Sequence, residues 1–256
     1  MKLLDIRGLT VRYGALTILD GVSFGVDSGE WLMLTGPNGA GKSTAVAAVT
    51  GGVPYEGDVL FEGADVARMR PSARAKNIGV LAQSHHVSYA FTVEEIVRLG
   101  RYSHAGPFSR GGSDEDAAAV ERALDVTGLR GQRGQSVLTL SGGELQRAFL
   151  AQVFAQEPRL LILDEPANHL DLIYQKQTFE LLREWLRQPG RAVISVVHDL
   201  STALAFGTRA VLLDKGRVVS QGAVRDVLTR RNLEDVYSMD VYAWMHSMLS
   251  AWEDMQ

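Results

Sequence analysis

Gly36-Pro37-Asn38-Gly39-Ala40-Gly41-Lys42-Ser43-Thr44 closely follows the apolar run Trp31-Leu32-Met33-Leu34, and this juxtaposition decides the fold. The spacing G-x-x-x-x-G-K-[ST] after a buried strand reads as a phosphate-binding loop. Its glycines let the backbone curl so that successive N–H groups point inward at phosphate oxygens. A helix starting at Lys42 adds about half a positive charge at its N-terminus. In this pattern Lys42 reaches the β- and γ-phosphates and Ser43 presents its hydroxyl to Mg2+. A unit-charge pair at ~4 Å is worth about 4 kcal/mol at an effective dielectric near ~20, so the lysine matters energetically.

Working outward, the upstream stretch reads as β-hairpins. Val11 and Tyr13, then Val22, Phe24 and Val26, alternate with polar neighbours, with Gly14, Gly21 and Ser28-Gly29 as turn signals. Downstream, the helix from Lys42 runs to about Thr50, where Gly51-Gly52 and Pro54 end it. Gly57–Phe61 and Ile78–Leu81 look like short strands. Beyond Gln83 the pattern turns helical. Thr92-Val93-Glu94-Glu95 is a capping box followed by Val93, Ile96, Val97 and Gly100 at helical spacing. Ser113–Asp116 repeats the box ahead of Val120 and Leu124, and Ser141-Gly142-Gly143-Glu144 opens a third helix, apolar on more than one face. Strands return at Leu160–Leu163, Ala192–Val197, Ala210–Leu213 and Arg217–Val219. Such runs, apolar without alternation, suit a parallel sheet covered on both faces. A helix from Asp171 to about Arg187 separates the first two, with Leu172, Phe179, Leu182 and Leu186 on one side.

The 256 residues carry a net charge of −4, 46% hydrophobic residues and no cysteine. No basic excess advertises nucleic acid as a partner, and disulfides, thiolate metal sites and cysteine nucleophiles are excluded. No signal-peptide pattern stands at Met1–Asp5, and no run approaches the ~18 apolar residues of a membrane span, so membrane association is expected through a partner.

Two further segments carry chemistry. Arg159-Leu160-Leu161-Ile162-Leu163-Asp164-Glu165-Pro166 is an apolar strand ending in two adjacent carboxylates. At the same sheet edge as the phosphate loop, Asp164 suits Mg2+ through its water shell, and Glu165 suits a general base for the attacking water. Ser141-Gly142-Gly143-Glu144 is a serine-capped helix N-terminus with bare amides, a second anion site. The capping box accounts for Ser141 and Glu144; the glycines cost helix stability unless something approaches closely.

Leu140-Ser141-Gly142-Gly143-Glu144-Leu145-Gln146-Arg147 resembles the signature sequence of ATP-binding-cassette (ABC) proteins, and the three motifs follow in that family's order along essentially the whole chain. The resemblance implies an ATPase using ATP and Mg2+. Its α/β fold would be a P-loop NTPase core, a mostly parallel sheet with helices, carrying an N-terminal antiparallel β subdomain and an inserted α-helical subdomain. One ABC ATPase domain would span 1–256: core 1–83 and 158–240, helical signature subdomain 84–157, and amphipathic tail 241–256. Residue by residue, the resemblance puts Tyr13 against adenine and makes Gln83 a sensor of the γ-phosphate and Mg2+ that reports to the helical subdomain. His198 matches the switch histidine at the γ-phosphate. Asp171, in Ala167-Asn168-His169-Leu170-Asp171, matches the loop crossing between subunits, although the commoner form is Ser-Ala-Leu-Asp. Ser141–Glu144 of one copy would cover ATP held by the other, in a head-to-tail dimer.

Phe91-Thr92-Val93-Glu94-Glu95-Ile96-Val97-Arg98-Leu99-Gly100-Arg101-Tyr102-Ser103-His104 narrows the branch. It resembles importer ATPases for iron-siderophore, haem and cobalamin, with Ser103 where proline is usual. That implies integral-membrane permease subunits docking near Gln83–His104, a substrate-binding protein acting indirectly, and a location at the cytoplasmic face of the cell membrane. An importer ATPase for molybdate or zinc and manganese, or a soluble ABC ATPase serving an assembly scaffold, are the alternatives. His85-His86 reads as a solvated or permease-facing pair. In the tail, Trp244, Met248 and Trp252 recur at i, i+4 with Met245 and Leu249 beside them, an amphipathic stripe expected to pack on its own domain or on the sister subunit.

Overall fold

A computed structural model describes residues 1–82, 89–104, 113–167 and 170–253, with 252 and 253 as backbone only. Gln83, His85-His86, Asn168-His169 and the Trp252 side chain lie outside the described residues. Among the described residues, ten strands form two sheets. β1 (Lys2–Tyr13), β2 (Leu16–Asp27), β4 (Glu56–Phe61) and β5 (Ala64–Asp65) make an antiparallel sheet in the order β2-β1-β4-β5. β3 (Trp31–Thr35), β6 (Ile78–Leu81), β7 (Leu160–Asp164), β8 (Ala192–Val196), β9 (Arg209–Asp214) and β10 (Arg217–Ala223) form the second, in the order β10-β9-β3-β8-β7-β6.

Alternate residues of the parallel strands enter two separate cores. Trp31, Met33, Leu161, Leu163, Val193 and Leu212 face one, built with helices. Leu32, Leu34, Leu160, Ile162, Ile194 and Val211 face the other, shared with the antiparallel sheet and α1 (Lys42–Val49). Both faces are therefore covered, which is why these strands read as unbroken apolar runs. Strand β10 departs from the expected parallel set. It pairs antiparallel with β9 across a two-residue turn, Lys215-Gly216, whose φ values are 45° and 76°. Positive φ at both central positions is the geometry of a tight hairpin, and β10 alternates between exposed and half-buried as an edge strand does.

Helix α2 (Pro71–Asn77) leads into β6, and α3 (Val93–Leu99), α4 (Asp114–Val126) and α5 (Gly142–Ala155) lie between β6 and β7 in the chain. All three expected capping boxes form, at Thr92/Glu95, Ser113/Asp116 and Ser141/Glu144. Within the Leu99–His104 run, Leu99 and Tyr102 are exposed, but Gly100 and Arg101 are buried. A Cβ on Gly100 would stand 2.0 Å from the Gln152 carbonyl oxygen, so the glycine sets the approach of α3 to α5. Gly100→Ala is expected to destabilise by about 1–3 kcal/mol through overpacking, read as a fall in Tm.

The Arg101 guanidinium, 5% exposed, donates to Asp116 Oδ1 at 2.7 Å, Glu157 Oε2 at 2.9 Å and the Ala155 carbonyl at 2.8 Å. The Arg101–Asp116 bond, with a second from the Ser113 amide, holds the Asp116 carboxyl down at about 2. A carboxylate whose pKa is depressed on folding stabilises above its unfolded value near ~3.9, and loses that contribution as pH falls toward its folded one. Asp116→Asn is expected to be less stable than the parent at neutral pH. The gap should close between about pH 4 and 2, measured by denaturant melts across that window.

The helix expected from Asp171 forms as α6 (Leu172–Leu186), with Asp171 as its cap, and buries Phe179, Leu182 and Trp185. Leu172 departs from the expected inner face and is 81% exposed, beside exposed Ile173. The chain closes with α7 (Leu200–Phe206), α8 (Val224–Val227), α9 (Arg230–Tyr237) and α10 (Val241–Glu253). α10 leans on the domain through Val241, Met245 and a hydrogen bond from the Tyr242 hydroxyl to the Leu228 carbonyl. Of the tail stripe, Trp244 and Met248 are about half exposed, while Met245 beside them packs against the domain. Among the described residues no helix is long and apolar enough to cross a membrane.

Candidate active site

The order β3-β8-β7 brings the ends of three adjacent parallel strands together, and each carries candidate residues onward: Gly36 after β3, His198 after β8, and Asp164-Glu165 at the end of β7. Gly36 turns at φ 138°, and a Cβ there would meet the Leu213 carbonyl oxygen at 2.1 Å. Gly41 turns at φ 98° against Leu19 of β2. Only glycine allows both the conformation and the approach. Pro37, Asn38, Gly39 and Ala40 complete the loop, where the Pro37 carbonyl accepts from the Ala40 amide at 3.2 Å. α1 then starts at Lys42 with no side-chain cap and no acidic residue in its first turn. Its N-terminal amides and the positive end of its dipole are left for an anion.

The Lys42 ammonium is buried and donates to the carbonyls of Gly36 and Pro37 at 2.8 and 2.9 Å. Burial draws its pKa down, while Glu165 and Asp164 oppose that by attraction. Ser43 Oγ donates to Asp164 Oδ1 at 3.3 Å. Burial pushes the Asp164 carboxyl up, as does its neighbour Glu165, against the Ser43 hydrogen bond and the charge of Lys42. Thr44, half-buried, continues the first turn of α1.

Glu165 sits in the left-handed region at φ 54°, with its amide donating to the Val196 carbonyl at 3.1 Å. That turn at the end of β7 brings its carboxylate to His198, with Nε2 and Oε1 2.5 Å apart. An ionised carboxylate only accepts, so the imidazole is the donor. A cleft of about 150 Å³ opens beside the pair, lined by Glu165, Pro166, Gln175, Val197, His198 and Thr202. A water held there would have a base at hand and phosphate-binding groups on the neighbouring strand end.

Tyr13 ends β1 opposite Leu16 and is 53% exposed. Its ring is therefore not core, and the β2 strand of the same hairpin runs past Gly41. Ser141 caps α5 reciprocally with Glu144, whose Oε2 accepts from the Ser141 amide at 2.9 Å. Gly142 has open space around it. Gly143 does not: a Cβ there would lie 2.5 Å from the Tyr174 ring. What approaches Gly143 is a side chain of the same molecule. Asp171 Oδ1 accepts from the Tyr174 amide at 3.0 Å. One approach has no sequence signal: the half-buried Tyr237 hydroxyl, at the end of α9, is pushed up by burial and drawn back down by the neighbouring Gly36 backbone. The carbonyl of that first loop glycine is held by Lys42.

The family model described as ABC transporter matches residues 19–168. The hemin import ATP-binding protein HmuV of Streptomyces coelicolor is 42% identical over 245 residues, 95% of this chain and 86% of that protein. The ferric enterobactin transport ATP-binding protein FepC of Escherichia coli is 36% identical over 91% of this chain and 87% of its own length. The cobalamin import ATP-binding protein BtuD of Halobacterium salinarum is 40% identical over 88% of this chain. This chain spans only 56% of BtuD. Among solved structures, a chain from a transporter assigned to the metal-chelate type, captured inward-facing, superposes with a TM-score of 0.82 at 26% identity, covering 94% of this chain and 90% of that one. With the loop, the paired carboxylates and the capped glycine helix arranged as described, the chain belongs to the ABC transporter family, as one of its ATP-hydrolysing, ATP-binding subunits.

Proposed function

We propose that this chain drives an importer of a metal chelate of the haem, ferric-siderophore or cobalamin type. The observation that carries the hydrolytic part is the Glu165–His198 pair, 2.5 Å apart at the strand ends beside Lys42, Ser43 and Asp164. The relatives named for hemin, ferric enterobactin and cobalamin support the cargo class.

In this reading the amides of 36–44 cradle the phosphates of ATP, Lys42 neutralises the β- and γ-phosphates, and the exposed Tyr13 ring lies against adenine. Ser43 and Asp164 offer two adjacent hard oxygens, a donor set that suits Mg2+ completed by phosphate and water. Bound there, Mg2+ would neutralise charge on the β- and γ-phosphates. Glu165 takes a proton from water as its oxygen bonds to the γ-phosphorus; the bond to the β–γ bridging oxygen breaks, and ADP leaves with that electron pair. His198 holds the Glu165 carboxylate in place and faces the γ-phosphate, and Gln83 senses it.

Ser141, Gly142, Gly143 and Glu144 complete the site of a second copy, with Asp171 on the loop that crosses between the two. The exposed Leu172 and Ile173 at the start of α6 support a contact there. Tyr89, Phe91, Leu99 and Tyr102 are all exposed in the first part of the helical region, which suits it to receive cytoplasmic helices of two permease copies. The chain would thus work at the cytoplasmic face of the membrane, served indirectly by a substrate-binding protein. The subdomain division at 83/84, 157/158 and 240/241 accompanies this reading.

Co-expression with candidate integral-membrane permeases, followed by uptake of haem, ferric siderophore and cobalamin into vesicles, tests the proposal. ATP-dependent uptake of one of the three is expected. Uptake of molybdate or zinc instead, or no association with a permease, would overturn it.

A further inference from the structure

The two glycines of Ser141-Gly142-Gly143-Glu144 have different surroundings. Around Gly142 a Cβ would meet nothing within 4 Å, whereas at Gly143 it would stand 2.5, 2.6 and 2.8 Å from Cγ, Cδ2 and Cδ1 of Tyr174. The ring therefore lies flat on the Gly143 backbone. Arg147, one turn further along α5, covers the same ring, its guanidinium carbon 5.4 Å from the centroid. Between them, Gln146 Nε2 donates to the Pro166 carbonyl at 2.9 Å, in the segment directly after Glu165. The Tyr174 amide is itself held by the Asp171 carboxylate at 3.0 Å. The first turn of α5 is thus bolted at two points, to the start of α6 and to the end of β7.

We propose that Tyr174 is a positioning residue: its ring seats the N-terminus of α5 against the Asp171 segment, and Gly143 is glycine to admit that ring. Gly142 has open space on its side, whereas the Cα of Gly143 faces the ring. Ser141 and the free amides of α5 can meet a partner's ATP at a fixed angle only if the helix end cannot roll. A flat ring on a bare backbone, clamped from above by Arg147, stops that roll. The contact links the helix that covers the partner's nucleotide to the segment carrying Asp171 and to the strand end carrying Glu165. This inference rests on the reading that Ser141–Glu144 completes the site of a second copy.

The test uses the full chain carrying Glu165→Gln, which should close as an ATP-bound dimer, followed by light scattering against ATP concentration with Mg2+ present. Adding Tyr174→Ala is expected to raise the ATP needed for half-maximal dimer at least about tenfold, with ATP binding to the monomer unchanged within about twofold. Tyr174→Phe should behave as the parent. Gly143→Ala should impair closure and lower Tm through the clash, and Gly143→Ala/Tyr174→Ala should recover part of both losses relative to Gly143→Ala. Equal dimerisation with and without Tyr174→Ala, or a double variant worse than Gly143→Ala in both readouts, would overturn the inference. If the Glu165→Gln parent itself never dimerises with ATP, the two-copy reading fails. The Tm comparison of the four proteins then still decides whether the ring sets the size limit at Gly143.

Discussion

Glu165→Gln is expected to cut ATP turnover by about 10²–10⁴-fold, the usual contribution of a positioned general base, while leaving ATP binding intact. The substitution changes little but the charge. The position of the residue is set by its backbone, with the amide tied to the Val196 carbonyl at 3.1 Å, and an amide oxygen can still accept from His198. Lys42, Ser43 and Asp164 are untouched, so the phosphate site persists. What disappears is the group that can take the proton of the attacking water. Closure over ATP should then outlast the normal cycle, and the variant should elute as an ATP-dependent dimer on sizing columns where the parent, turning over, does not. Steady-state phosphate release and size-exclusion with ATP and Mg2+ measure both effects. Full turnover in the variant would remove Glu165 from the role of base.

Lys42→Ala carries the second large expectation, loss of ATP affinity by about 10²–10³-fold. The ammonium is 5% exposed and stands close enough to Asp164 and Glu165 to feel both carboxylates. An ion pair at an effective dielectric near ~20 is worth about 4 kcal/mol at ~4 Å, which sets the upper end of that range. Removing the cation also leaves the two carboxylates facing an incoming polyanion without compensation, and leaves the Gly36 and Pro37 carbonyls without their donor. Equilibrium titration with a fluorescent ATP analogue reads the change. A loss smaller than about tenfold would mean that the loop amides and the α1 N-terminus, rather than the lysine, hold the phosphates.

The parts of the fold legible in the sequence are those governed by neighbours a few residues apart. The three capping boxes at Thr92, Ser113 and Ser141 form reciprocally because an i, i+3 pairing needs only the local helix start. The loop before Lys42 and the Asp164-Glu165 strand end were legible because a buried strand followed by glycines, or ending in carboxylates, is a local pattern. Features set by distant partners were not. Nothing in Arg217–Val219 announces its direction; the two positive-φ residues of Lys215-Gly216 decide it. Leu172 has the spacing of a buried residue, yet it lies before the first residue of α6 that reaches the core. Gly100 and Arg101, read as part of a docking run, serve α5 and Asp116 instead, because the packing partner of α3 lies some fifty residues further along the chain. Gly143 looked outward for the same reason: its neighbour Tyr174 belongs to a different helix. The approach of Tyr237 to Gly36 likewise brings together residues some two hundred positions apart.

The backbone of Glu165 has a consequence for descent. A side chain at φ 54° carries a conformational cost of about 1–2 kcal/mol that glycine would not. Most substitutions at a chemical residue are judged by the activity they remove; here the activity-destroying glycine is also the one the local geometry prefers. Selection on durability alone would therefore favour losing this carboxylate, and a copy of the gene relieved of the need to turn over ATP would have a downhill path to an inert but sturdier subunit.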